Sequence, residues 1–141
     1  LGEDGFCART GAAEYLLVDG PAGTAARLLG VPPRGLEHGA RVLAREDLVA
    51  GLGGPAAAAV LAELCDLDPA AAAGRLNMIR IAGVDAWLAV HGEGAEAWLH
   101  LGCEPSYGAY LLETLLALAA ERGGGLIGLH DFHGIARRRG S

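Results

Sequence analysis

The 141-residue chain contains no lysine, and all 11 of its basic residues are arginine. The absence of lysine excludes a lysine Schiff base and the lysine of a phosphate-binding P-loop. We attribute it first to a bias toward GC-rich codons. The net charge is −6, so the chain also lacks the basic surface that binding to a nucleic-acid backbone requires. These shortages predict a protein without a nucleic-acid partner.

Aromatic residues and long apolar runs are scarce as well. Aromatic residues make up 5% of the chain, although hydrophobic residues make up 52%. The core must therefore be built mainly from Ala, Leu and Val, which lets helices and strands approach closely. No apolar run approaches the roughly 18 residues that a membrane-spanning helix needs, and no signal peptide is recognised after Leu1. We expect no membrane contact.

Cysteine is rare, and the three cysteines, Cys7, Cys65 and Cys103, form no CxxC pair. An odd number of cysteines without such spacing predicts neither a disulfide framework nor a closed zinc site. We therefore expect small, buried or half-buried thiols and a cytoplasmic location.

Three short apolar runs separated by turn residues occupy the middle of the chain. The runs Leu76–Ala82, Ala86–His91 and Ala97–Gly102 have the composition of strands. Pro105 and Ser106 then have the chemistry of a helix start, with Ser106 as the N-cap. The helix is predicted to continue to Arg122 and to end at Gly123-Gly124-Gly125. One face of it is defined by Tyr107, Tyr110, Leu111, Thr114, Leu115, Leu118 and Ala119.

The first half of the chain repeats this plan less clearly. Strands are predicted at Glu14–Asp19, Ala40–Arg45 and Leu48–Leu52, and helices at Ala22–Leu29 and Ala56–Leu64. A loop is predicted at Val31–Gly39 and a linker at Pro69–Gly74. The first residues, Leu1–Gly11, are expected to fray. The pattern favours an α/β chain of the α+β sandwich type, with a ferredoxin-like open-faced sheet and helices on one face.

The predicted organisation has three parts. Residues 1–13 are a flexible N-terminal segment, residues 14–129 a single domain, and residues 130–141 a C-terminal tail. The domain consists of two similar halves, 14–68 and 75–129.

A glycine-rich turn offers the first candidate for chemistry. Residues Gly51 to Ala56 (GLGGPA) match the G-x-G-x-x-A fingerprint of dinucleotide-binding turns, between a predicted strand and a predicted helix. Pro55 removes one backbone N–H that a pyrophosphate would use, and no acidic residue ends a strand at the expected distance. A tight turn required by packing is the favoured interpretation.

Histidines, carboxylates and arginines offer the other candidates. The pair His130 and His133, in the sequence HDFH, could ligate a metal, with His91, His100 and Cys103 as further donors, but nothing in the sequence brings them together. Turn chemistry accounts for Asp66 and Asp68. Glu63 and Glu104 complete the carboxylates that could act as a pair in a cleft. The basic end Arg137–Arg139 is interpreted as a solvated tail.

Three segments carry a resemblance to a known family. Leu48–Leu67 (LVAGLGGPAAAAVLAELCDL) is similar to the strand–LxGPxA–helix–CPLDL stretch of the folate-binding aminomethyltransferases of the glycine cleavage system. Pro105–Leu116 (PSYGAYLLETLL) resembles the PRSYAEYLWxxL helix start of that superfamily, and Glu14–Val18 (EYLLV) its EWLLV strand. Their order and spacing most resemble the gamma subunit of heterotetrameric sarcosine oxidase, from about Glu14 to Gly125.

The resemblance implies a reduced folate-binding fold in a non-catalytic subunit of a flavin-dependent complex that demethylates sarcosine or a related N-methyl amino acid. It implies larger flavoprotein subunits as partners, with FAD, FMN, NAD and tetrahydrofolate bound there. It assigns no catalytic, cofactor-binding or metal-binding residue to this chain.

The apolar composition adds an expectation about contacts with such partners. With a mean hydropathy of +0.31, the chain is expected to present apolar surface at an interface. Trp87 and Trp98 are candidate anchors, although one of them could equally lie in the core. Arg137–Arg139 could add a polar contact at the rim. The alternatives are a stand-alone folate-binding methyl transferase-like protein and an unrelated small adaptor domain.

Overall fold

A computed structural model of the chain describes residues 5–20, 22–24, 27, 41–92, 97–128 and 130–132. The chain divides into two compact units, Leu1–Arg45 and Glu46–Ser141. Half of the predicted helix Ala22–Leu29 lies outside the described residues, and the predicted loop Val31–Gly39 and the arginines Arg137–Arg139 lie outside them entirely.

The first unit contains an antiparallel hairpin of β1 (Phe6–Arg9) and β2 (Tyr15–Val18). The strand predicted at Glu14–Asp19 is confirmed as β2. Strand β1 instead lies where the sequence predicts fraying. The turn between the strands explains the difference, because Arg9 donates side-chain hydrogen bonds to the carbonyls of Gly11 and Ala12 at 2.8 and 2.7 Å. These local bonds close a turn that glycine content alone does not indicate.

The second unit is an α+β arrangement with one sheet. Its elements are β3 (Leu48–Leu52), α1 (Ala57–Ala62), α2 (Pro69–Ala72), β4 (Leu76–Ile81), β5 (Val84–His91), β6 (Trp98–Cys103), a 3₁₀ turn (Pro105–Tyr107) and α3 (Gly108–Glu121). The sheet has the order β3-β6-β5-β4, and all neighbouring strands are antiparallel.

The three successive strands and the following helix confirm the main sequence prediction for this unit. The connectivity, however, differs from the ferredoxin-like β-α-β-β-α-β order. Here β4, β5 and β6 follow one another without an intervening helix, and β3 pairs with β6 across the sheet. This places the glycine-rich turn after β3 near the start of β6, since Leu52 pairs with Leu99.

The core lies between one face of the sheet and the helices. Alternate residues of β5 and β6 point to this face, including Leu88, Val90, Leu99 and Leu101, which are nearly inaccessible to solvent. The helices contribute apolar residues to the same cluster: Ala57, Val60, Leu61, Ala72, Leu111 and Leu115. Helices on one face of an open sheet are therefore confirmed for this unit.

Helix α3 begins later than predicted. Residues Pro105–Tyr107 form a 3₁₀ turn, and the α-helix starts at Gly108 without a side-chain cap. Ser106 is therefore not the N-cap. Its hydroxyl donates instead to a carboxylate oxygen of Glu104 at 2.6 Å. Ser106 lies inside the 3₁₀ turn, and Tyr107 occupies the N-cap position of α3, so Ser106 is one residue too early to cap it.

Two of the residues assigned to the buried face of α3 are exposed. Leu111 and Leu115 are buried as predicted, but Tyr107 and Tyr110 are each about half exposed. Tyr110 reaches over the sheet, where its hydroxyl donates to the carbonyl of Ala82 at 3.2 Å. The helical spacing identifies the residues that share one face of the helix. It does not tell which of them lie over the sheet and are buried, and which lie beyond its edge and are exposed.

Two other segments differ from prediction. Residues 41–45, predicted as part of a strand at Ala40–Arg45, have no regular secondary structure, and Leu43 is largely exposed. An apolar run without a neighbouring strand has nothing to pair with. The predicted linker Pro69–Gly74 contains the short helix α2, which is capped by Asp68 through a bond from the Ala70 N–H to its Oδ1 at 2.9 Å.

Candidate functional site

The sheet face opposite the helices carries an aromatic cluster. We call this the aromatic face and define it by Trp87, His91, Trp98, His100 and Phe132. The register places His91 opposite Trp98, and β6 adds His100 two residues further along the same face. The last member, Phe132, comes from a helical turn at residues 130–132. These five rings lie within the second unit.

Trp87 is a core residue rather than an exposed anchor. It is 3% exposed, and its indole Nε1 donates to Oδ2 of Asp47 at 3.1 Å. Its ring lies directly over Gly102, the residue opposite it on β6, and a Cβ at that position would overlap the indole. Of the two predicted tryptophan anchors, only Trp98 is partly exposed.

The structure brings two of the candidate histidines together. Nδ1 of His100 lies 3.4 Å from Nε2 of His91. The His91 ring stacks on Trp98 with centroids 4.0 Å apart, and the His100 ring meets His91 edge-on. His100 is buried, and burial lowers the pKa of His91 below its ordinary value because the charged imidazolium loses solvation.

The other proposed metal ligands are not brought to this pair. Cys103 lies on the helix-facing side of the sheet with Leu99 and Leu101, and His130 is exposed. His133 is outside the described residues. In the described part of the chain, no group of three or more His, Cys, Asp or Glu side chains is arranged to hold a metal ion.

The cysteines only partly match the sequence prediction. Cys103 is buried, and burial raises the pKa of its thiol, with Asp47 and Glu104 adding to the effect. Cys65 is half-buried, as predicted, but Cys7 is exposed on the hairpin of the first unit.

The glycine-rich turn connects β3 to α1, as the sequence predicts. Gly51 is required by packing, because a Cβ there would lie 2.5 Å from the Phe132 ring. Gly54 has a φ of +99°, which favours glycine. This supports the interpretation of the turn as a packing corner. Phe132 was not included in the site on the basis of the sequence. A glycine inside a strand, here Gly51, is a sequence signal that another group packs closely against the backbone.

A cavity of about 370 Å³ lies beside this corner. The glycine-rich turn forms one wall, and residues 122–125 at the end of α3 form another. Trp98 and Phe132 contribute aromatic surface, with ring centroids 5.7 Å apart in an edge-to-face arrangement. We call this the glycine-lined cavity.

The carboxylates do not meet in a cleft. Asp68 caps α2, as turn chemistry predicts for this residue. Glu63 forms an ion pair with Arg122 that connects α1 to the end of α3, and Glu104 accepts from Ser106. Three of the four candidate acids therefore have local structural partners.

A region that adjoins the glycine-lined cavity and shares Ile127 with its lining exposes apolar side chains. Val49 on β3 and Leu126 and Ile127 after α3 are 43%, 76% and 50% exposed. Together with Leu112 and Leu116 of α3 they line a cavity of about 260 Å³ along β3. We call these five residues the lateral apolar surface. It follows strand β3, which is at one edge of the sheet.

Comparison of the chain with protein-family models, with curated proteins and with solved structures found no match. Within the described ranges, the helices fall short of the length and apolar character that crossing a bilayer requires.

Proposed function

We propose that this chain is a non-catalytic, gamma-like subunit of a flavin-dependent sarcosine oxidase or a related N-methyl amino acid oxidase or dehydrogenase. In this proposal the chain contributes to the assembly of a cytoplasmic complex, and the larger subunits bind FAD, FMN, NAD and tetrahydrofolate. The second unit is then a reduced version of the folate-binding aminomethyltransferase-like fold. The resemblance in three ordered segments motivates the choice of complex.

The lateral apolar surface is the observation that supports a role in assembly. Three of its side chains are between two-fifths and three-quarters exposed, and they gather along an edge strand. Contiguous apolar surface next to a sheet edge is typical of protein contacts, because its burial releases water and the edge can accept further strand pairing. We propose that a larger flavoprotein subunit covers this surface.

The proposal is tested by affinity purification of the full chain from its native host, followed by mass spectrometry of the bound proteins. We expect a flavoprotein in stoichiometric amount. A double substitution, Leu126→Glu with Ile127→Glu, should reduce its recovery by about tenfold or more, because burying two carboxylates in an apolar contact is costly. Met78→Glu is the control, since Met78 is equally exposed but lies on β4 at the opposite edge.

Each outcome separates the alternatives. If the chain elutes alone and its deletion leaves N-methyl amino acid oxidation unchanged, the subunit proposal is wrong. Partners without flavin would favour an unrelated adaptor. Stoichiometric binding of tetrahydrofolate by the purified chain would favour the methyl transferase-like alternative. A flavoprotein retained by the double variant would mean that the interface lies elsewhere on the chain.

A further inference from the structure

We propose that the glycine-lined cavity is a binding site for a small planar aromatic molecule that carries one anionic group. This inference does not use the proposed function, and its test uses the isolated chain, because the cavity shares Ile127 with the lateral apolar surface. The cavity volume of about 370 Å³ lies within the range of roughly 300–1,000 Å³ that is usual for small-molecule sites.

The glycines of the cavity do not all have the same explanation. Packing against Phe132 requires Gly51, and positive φ angles account for Gly54 and Gly123. Gly125 differs from these, because its φ is not in the left-handed region and a Cβ there would meet no atom within 4 Å. Neither conformation nor packing within the described residues therefore requires glycine at this position.

Gly125 lines the cavity, and its backbone polar groups are not used elsewhere in the described residues. Its N–H and C=O make no hydrogen bond within the described part of the chain. Because glycine has no Cβ, a molecule in the cavity can approach the backbone of Gly125 closely. The N–H of Gly125 can therefore donate to a polar group of a molecule in the cavity.

Arg122 gives the cavity its preference for an anion. It is the charged residue among the described side chains that line the cavity, and its side chain is 27% exposed. Nη2 donates to Oε1 of Glu63, whereas Nε and Nη1 have no hydrogen-bond partner in the described ranges. Glu63 thus holds the guanidinium in place, and the remaining donors can bind a carboxylate, sulfonate or phosphate.

Trp98 and Phe132 give the cavity its preference for a planar ring. Their rings are held edge-to-face, and Trp98 is fixed from behind by stacking on His91. An aromatic molecule gains both apolar burial and ring contacts against such a wall. An aliphatic anion would gain only the contact with Arg122.

The test uses 2-naphthoate as the aromatic anion and naphthalene-2-carboxamide as its neutral isostere, titrated into the full-length ¹⁵N-labelled chain. With 2-naphthoate, we expect saturable shifts of the backbone amides of residues 123–125 and of the Trp98 indole N–H. The Trp87 indole N–H should not shift, because Trp87 is buried and donates to Asp47. The carboxamide should bind about tenfold more weakly, which corresponds to the loss of one charge-assisted contact.

Two variants locate the site. Arg122→Gln should weaken 2-naphthoate binding by about tenfold and leave carboxamide binding nearly unchanged. Gly125→Val, which no neighbouring atom opposes, should weaken both ligands by narrowing the cavity. Arg80→Gln is the matched control, since Arg80 is also an ion-paired surface arginine but lies on β4.

The proposal fails if the shifts caused by 2-naphthoate do not saturate below about 10 mM. A dissociation constant above that concentration corresponds to a binding free energy of only a few kcal/mol. The proposal also fails if the shifts map outside the cavity, or if Arg122→Gln and Arg80→Gln have equal effects. Because the wild-type titration alone gives the first two results, the test remains decisive even if a variant does not fold.

Discussion

At the scale of single residues, the aromatic face depends on two positions where a glycine leaves room for an aromatic ring to pack against the strand. Gly102 lies under the indole of Trp87, and Gly51 lies under the ring of Phe132. In a chain with so few aromatic residues, each ring fills a large part of this face. Both glycines therefore have a packing role. Because glycine is common in this chain, the sequence alone does not single them out.

The residue-scale prediction concerns Gly102. Substituting Gly102→Ala should lower the free energy of unfolding by about 1–3 kcal/mol, because the added methyl group overlaps a buried indole that also donates to Asp47. Urea unfolding followed by tryptophan fluorescence measures the loss. Gly125→Ala is the control, and its effect should stay within about 0.5 kcal/mol because nothing lies near the new Cβ. Equal effects of the two substitutions would contradict the packing role.

At the scale of elements, helix α3 is the main cover of the sheet. It buries Leu111 completely and Leu115 almost completely, whereas Leu112 on the same helix is only half-buried. The ion pair between Arg122 and Glu63 adds a connection to α1. Its exposure to solvent makes that contribution small compared with the apolar burial.

The element-scale prediction compares two leucines of this helix. Leu111→Ala should cost about 2–5 kcal/mol, because it leaves a cavity in a fully buried position. Leu112→Ala should cost about 1 kcal/mol, since its side chain already contacts solvent. Chemical unfolding of both variants measures the difference. Hydrogen exchange should also place the amides of Leu111, Leu115 and Leu118 among the slowest, and rapid exchange along the whole helix would overturn this account of the fold.

At the scale of the whole molecule, the apolar core belongs to the second unit. Every residue of the buried core cluster lies between Leu48 and Leu118. The sheet of this unit has a helix-covered face and the aromatic face, so its stability depends on both. The aromatic face contains His91, whose pKa is lowered by burial, and this connects global stability to pH.

The whole-molecule prediction is that stability falls as the solution is acidified. Burial lowers the pKa of His91 below its ordinary 6.5, so the folded state binds this proton less readily than the unfolded state. The stabilising contribution is complete above the unfolded pKa and is lost as the pH falls from there toward the folded pKa. Urea unfolding between about pH 7.5 and pH 5.5 measures the loss.

A substitution tests the contribution of His91 together with its contact to Nδ1 of His100. In His91→Phe the ring that stacks on Trp98 is kept but cannot be protonated, so the stability curve should be flatter over this pH range. If His91→Phe keeps the full wild-type slope, the dependence belongs to other groups.

The sequence by itself determined the local elements of the second unit. Alternating and helical spacing identified β3 to β6, α1 and α3 to within a few residues, because these patterns record which side of each element is apolar. It could not determine that a 3₁₀ turn precedes α3 and moves its N-cap from Ser106 to Tyr107, or that residues 41–45 pair with no strand among the described residues. Both outcomes depend on the packing around these segments.

Only the tertiary structure decided the candidate sites. His91 and His100 meet because β5 and β6 pair in one particular register, and the two glycine runs meet because β3 lies beside β6 and α3 ends near it. Likewise Phe132, placed by the sequence in a tail, fills the space above Gly51. Residues far apart in the chain become neighbours only through strand pairing and packing, and a single sequence contains no direct measure of either.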